Sequence, residues 1–302
     1  MVLGADAQTD GPVYDFRIGR YEIRNDQFIE FLNDAILNLD NERGQYMYFD
    51  VDSGNVYIHV SAMGTVGTEG SGTLLFSPAV GGRITYTEDA YRLVNPAYTA
   101  HPVVGVTWFG ATKFCNWLTL QRGMPPSERV YAEGPSAEAW HAETFDPALS
   151  ATNLNGFRLP MDDGAATASP YNEWYKAASR KSGANGFGSV FGFGRGTLTS
   201  VDANYLSSGD PYEIGTTPVG FFDGINKLAN NTTLTNNTGN GYGLYDLCGN
   251  AAEWVHDTAN VSGTIQGATR GGHFTHPVGF AQLRTDVRES LPAASALSFI
   301  GF

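Results

Sequence analysis

Lysine occurs only at Lys113, Lys176, Lys181 and Lys227, and the 18 lysines and arginines are outnumbered by 31 acidic residues. The formal charge of −13 and pI near 4.8 argue against a nucleic-acid partner, because tracking phosphates requires clustered basic side chains. Acidic substrates are disfavoured for the same reason. Cysteine is scarcer still. With only Cys115 and Cys248 there is no multi-cysteine framework, so two buried free thiols are expected, with one disulfide as the alternative. No window approaches the roughly 20 apolar residues of a membrane span, so none is expected. No sequence period of about 20–50 residues recurs, which excludes solenoids. A true phosphate loop is missing too: GFGSVFGFGRG, 186–196, has suggestive glycine spacing, but no Lys–Ser/Thr follows it and no βαβ frame surrounds it. Close backbone packing is the expected reason for those glycines.

What is present is enough apolar material for a sizeable core, 42% of 302 residues. Glycine, asparagine, threonine and serine are abundant, a balance more typical of exported proteins. Ala5-Asp6-Ala7 has the small-x-small form of a signal-peptidase site. Residues 1–13 are therefore read as a tail that is either a signal-peptide remnant or an ordinary cytosolic start. A strand is predicted from Phe16 to Ile23, then a helix from about Asn25, whose side chain would cap it. Alternation around Ser53-Gly54-Asn55 predicts hairpins across 45–100. Two more helices are predicted near 109–121 and 172–181, and short strands near 216–221, 269–275 and 298–302. The result is an α+β fold of low regular content over 14–302, with a hairpin-rich insertion and several short helices.

Irregular backbone needs partners for its polar groups, and bound metal ions are one source. The stretch GNGYGLYDLCGNAAEWVHD, 239–257, puts Asp246 and Glu253 on either side of a Gly249-Asn250 bend. That bend can turn the carbonyls of Gly249 and Ala251 toward the same point. Calcium takes about six to eight oxygens, backbone ones included, so this segment can supply most of a site. The alternative is that Asp246 caps a turn and Glu253 pairs with an arginine.

The ordered motifs YEIRNDQFIEFLN, HPVVGVTWFGATKFCNWL, GFRLP, NEWYKAASR, NGYGLYDLCGNAAEW, TRGGHF and a terminal IGF resemble the formylglycine-generating enzyme family, also called sulfatase-modifying factors. The resemblance runs from about Phe16 to Phe302. It implies a single domain akin to the C-type lectin fold, with Trp108, Trp117, Trp174 and Trp254 in its core. It also implies one calcium held by Asp246, Gly249, Ala251 and Glu253. A second calcium is implied, with a one-residue gap, at Asn204, Tyr205, Asp210 and Tyr212. The family's enzymes follow their RGG strand with a serine, a cysteine three residues later and a second cysteine five beyond, and that thiolate pair binds copper. Counting from Arg270-Gly271-Gly272, these positions hold His273, His276 and Ala281. Formylglycine generation and bound copper are therefore not expected.

His273, His276 and His256 are candidates for a different ligand or transition-metal pocket, since imidazole suits copper, iron and zinc. On an unbroken strand His273 and His276 would face opposite ways, an objection that a turn at Pro277 would remove. Two functions follow from this sequence. The first is a non-catalytic, calcium-stabilised binding or structural protein, secreted or on a bacterial surface, whose partner is a protein, a glycan or copies of itself. The second is a metal-dependent oxidase or other enzyme that uses histidine ligands. The polar tip NNTTLTNNT, 230–238, is a candidate contact loop.

Overall fold

The computed structural model describes residues 2–3, 11–12, 14–68, 70–142, 154–165, 167–182, 186–212 and 214–302. The Ala5–Ala7 signal-peptidase pattern lies outside them. Among the described residues no helix is long and apolar enough to cross a membrane.

Helix α1, Asn25–Ile36, forms where Phe28, Phe31, Leu32 and Ala35 recur at helical spacing and are buried together. Its cap differs from the sequence expectation. Arg24 holds the capping position, and the Gln27 side chain returns to the Arg24 amide at 3.0 Å. Asn25 is instead the first helical residue, and its Nδ2 donates to the Tyr98 carbonyl at 2.9 Å. Helix α2 is one turn, Pro78–Gly81, ended by the left-handed Gly82. Thr107 caps α3, Trp108–Gln121, by accepting from the Gly110 amide, and Asn172 caps α4, Glu173–Ala178, by accepting from that of Tyr175.

The hairpin-rich insertion is a four-stranded sheet followed by a separate hairpin. Its strands are β1 (Met47–Asp50), β2 (Val56–Ile58), β3 (Thr65–Gly67) and β4 (Leu74–Phe76), in the order β3-β1-β2-β4, with β1 and β3 parallel. The hairpin joins β5 (Ile84–Thr87) to β6 (Ala90–Leu93). The C-terminal sheet contains β7 (Ala252–Val261), β8 (Thr264–Arg270), β9 (Glu289–Pro292) and β10 (Ile300–Gly301), in the order β9-β8-β7-β10. Strand β10 runs parallel to β7, pairing Ala252 with Ile300 and Glu253 with Gly301.

Three strand expectations change. The extended segment at Phe16 stops at Arg17. No strand forms at 216–221, where the Thr217 amide is held by the Asn250 side chain and the Val219 amide by the Ala100 carbonyl. Strand β8 lies earlier than 269–275 and ends at Arg270, because Gly271 and Gly272 adopt φ of 85° and 68°.

One apolar core spans α1, α3, the first sheet and β7, including Phe28, Met47, Phe76, Trp108, Trp254 and Ile300. Two indoles stitch it in opposite directions. Trp108 Nε1 donates to the Val255 carbonyl at 3.0 Å, and Trp254 Nε1 to the Val106 carbonyl at 2.9 Å. Trp117 and Trp174 are buried as well. Cys115 and Cys248 are both free and buried. Of the 186–196 glycines, two serve close packing: a Cβ on Gly192 would lie 2.3 Å from the Leu247 carbonyl oxygen, and one on Gly194 2.4 Å from the Ser182 amide, whereas Gly188 and Gly196 would meet nothing within 4 Å.

Candidate functional site

The turn before β7 forces the chain into the left-handed region three times, at Asp246 (φ 62°), Gly249 (75°) and Asn250 (62°). Gly249 is required for a second reason, since a Cβ there would lie 2.1 Å from the Asn204 carbonyl oxygen. The amides leaving the turn are all used. Gly249 donates to Gly271, Asn250 to Asn204, Ala251 to the Glu22 carboxylate and Ala252 to Phe299. This geometry buries Asp246 and leaves Glu253 half-buried.

There they face a third carboxylate. Glu22 accepts from the Asn250 side-chain amide at 2.7 Å and from the Ala251 amide at 3.0 Å. Asp246 accepts from the Gly220 amide at 2.6 Å, and Glu253 from the Trp174 indole at 2.5 Å. Burial, with a smaller effect from the Gly220 bond in the other direction, raises Asp246 to about 7. Burial raises Glu253 to about 7 as well, with Asp246 adding to it. Glu22 is raised well above the usual carboxylate range by burial first, then by Asp246 and Glu253. Among the described residues none of the three forms an ion pair with lysine or arginine. Carboxylate oxygens are hard donors, the type that calcium takes.

Beside the acids lies a cavity of about 330 Å³, lined by Glu22, Phe114, Arg158, Glu173, Glu253 and Phe302 among others. The Arg158 and Glu173 side chains, both in its wall, pair at 2.5 Å.

The histidines divide into two places. His256, on β7, is buried with its Nδ1 2.8 Å from the Tyr131 hydroxyl, and burial pushes it down to about 3, helped by Arg158. His273 and His276 come together elsewhere, with ring centroids 3.6 Å apart and planes at 29°. A turn closed by the His276 amide on the His273 carbonyl, 3.0 Å, overcomes the strand alternation that would have separated them. Burial lowers both, and His276 lowers His273 further, to about 3.

Residues 4–302 match the sulfatase-modifying factor enzyme 1-like domain family, almost the whole chain. The chain belongs to this family. The solved structure of CarF is similar over 100% of this chain and 91% of its own, at 21% identity and a TM-score of 0.58, a likeness of fold. PvdO from Pseudomonas aeruginosa aligns over 100% and 88% of the two chains at 18% identity and a TM-score of 0.44. Treponema denticola variable protein 1 aligns over 74% and 78%, at 24% identity and a TM-score of 0.44. Among curated proteins, the serine/threonine-protein kinase pkn1 of Chlamydia pneumoniae is 26% identical over 165 residues. That stretch is 55% of this chain but 15% of the kinase's own length.

In this sulfatase-modifying-factor domain, four α-helices among the described residues and several small sheets make the expected α+β fold of modest regular structure. Its second expected calcium set is tied up locally. Asp210 accepts from the Ser208 hydroxyl and the Tyr212 amide, both at 2.8 Å, and the Tyr205 carbonyl accepts from the Ser208 amide at 2.9 Å. Asn204 lies against the first set, donating to the Gly215 carbonyl at 2.9 Å and to Asn250 Oδ1 at 3.2 Å. Sequence reading missed Glu22, which reaches the Asp246–Glu253 turn from 228 residues away, and Glu289, which joins His273 and His276 where His256 had been expected. For neither does local spacing carry a signal.

Proposed function

We propose that this domain is a non-catalytic, calcium-stabilised binding or structural module, exported to the cell surface or beyond. The observation that carries the reading is the trio of Glu22, Asp246 and Glu253, the first two buried and Glu253 half-buried, brought near one another with no basic ion-pair partner among the described residues. Buried charges are rarely left uncompensated, and a divalent ion ligated by Asp246, Glu253 and the Gly249 and Ala251 carbonyls would provide that compensation. Glu22 would stand behind the ligands, fixing Asn250 and Ala251 by its two hydrogen bonds. A further ion at the second set, Asn204, Tyr205, Asp210 and Tyr212, would have to replace the local hydrogen bonds that Asp210 and the Tyr205 carbonyl accept. The replacement of the family's copper-binding cysteines by His276 and Ala281 supports a non-catalytic role. The partner would be a protein, a glycan or a second copy of the chain, with the cavity beside Glu253 or the polar loop 230–238 offering contact surfaces.

Calcium titration of chelator-treated protein tests this. Calcium at about 100 times its Kd would raise the melting temperature by roughly 5–10 °C, with an equivalence point of one or two ions per chain. Asp246→Asn and Glu253→Gln would remove most of that rise. A melting temperature indifferent to calcium in the unsubstituted chain would overturn the reading.

A further inference from the structure

We propose that His273, His276 and Glu289 form a second metal site, distinct from the acidic one and suited to a zinc-class divalent ion. One ligand atom from each lies within 4.8 Å of the others. Two imidazoles with one carboxylate is a donor set that zinc accepts with three protein ligands and a fourth position left open. Zinc bonds of about 2.0–2.2 Å put tetrahedral donors roughly 3.4 Å apart, so the group needs to close by little more than about 1 Å.

The surroundings hold the rings in place for such a role. Phe299 stacks on His273 at 3.9 Å and Phe280 lies 4.7 Å from His276, so four rings follow one another and clamp the imidazole pair by its faces. The nitrogens are left at the edges of that stack. The Thr275 hydroxyl sits 2.8 Å from His273 Nδ1, and in the tautomer whose proton is on Nδ1 it accepts that bond and leaves Nε2 as a ligand. His276 Nδ1 accepts the His273 amide at 3.2 Å. A cation on His276 Nε2 shifts the ring proton to Nδ1 and displaces this long contact. Glu289 comes from a different element, β9, paired with Thr269 of β8, and it is only half-buried, which gives an ion a way in. The site thus ties the turn after β8 to the strand beside it.

The test uses the full chain, stripped by chelator, refilled with calcium so that the acidic site is not the variable, and titrated with cobalt(II) followed by visible absorption. Saturable one-to-one binding that zinc displaces is expected. His276→Ala and Glu289→Gln should each weaken it by at least ~10-fold, while His59→Ala, at a histidine near the insertion's first sheet, should leave it unchanged. Far-UV circular dichroism checks folding of each variant. Should His276→Ala fail to fold, Glu289→Gln on its half-buried strand carries the test alone. No saturable binding, or binding unaltered in Glu289→Gln, overturns the site. Loss of the calcium effect with cobalt binding retained would count against the acidic site only.

Discussion

Asp246 and Glu253 were candidates from the sequence because they lie seven positions apart around a bend that the residues themselves announce, within a motif that resembles the family's. Glu22 could not, because only the folded chain brings it there, through bonds to Asn250 and Ala251. Its arrival sharpens a pH prediction. Asp246 and Glu253 have folded-state values of about 7, above those of free carboxyls, so the calcium-free folded chain retains protons that the unfolded chain has released. Stability without calcium is then fully present below the ordinary carboxyl range and declines as pH rises from about 4 through about 7. Thermal melts in chelator from pH 4 to 8 should show this fall, flattened in Glu253→Gln. Bound calcium favours the ionised carboxylates, so with excess calcium the fall should vanish or reverse. A calcium-free stability that climbs across this window would contradict the coupling of the three acids.

The helices were the legible elements, since apolar spacing is local: α1 and α3 lie within a residue or so of where the pattern puts them, although the cap of α1 is Arg24 and not Asn25. Strands were not. Strand β7, the longest, was hidden because Ala252–Val261 carries no clean alternation, and its conformation is fixed by neighbours 264–270 and 300–301. The packing of α3 rests on a glycine that the periodicity did not single out. A Cβ on Gly110 would sit 2.1 Å from the Leu75 carbonyl oxygen, where α3 crosses β4. Gly110→Ala must push the helix off the strand and should cost about 1–3 kcal/mol in chemical denaturation. Gly196→Ala, with nothing within 4 Å of the new Cβ, is the matched control and should change stability by less than about 0.5 kcal/mol. Equal effects at the two positions would mean that the α3–β4 approach has slack.

In the molecule as a whole the insertion is not a detachable addition to a scaffold, because it shares the core. Met47, Phe49, Val56 and Ile58 from the insertion belong to the same core as Trp108, Trp254 and Ile300. The Thr107 hydroxyl, at the start of α3, donates to the Leu74 carbonyl at the start of β4. The acidic site sits at a comparable junction, where chain near Glu22, Asn204, Gly220 and Gly249 converges. An ion there would tie together segments distant in sequence, and its binding energy would be drawn on by global unfolding and not by the fraying of one loop. Calorimetry should therefore give one transition with a van't Hoff enthalpy close to the calorimetric one, and chelation should shift it as a unit. Near-UV signals from the buried tryptophans and far-UV signals from the sheets should move together. Two transitions, of which calcium shifts only the later, would mean that the insertion folds apart from the site despite the core they share.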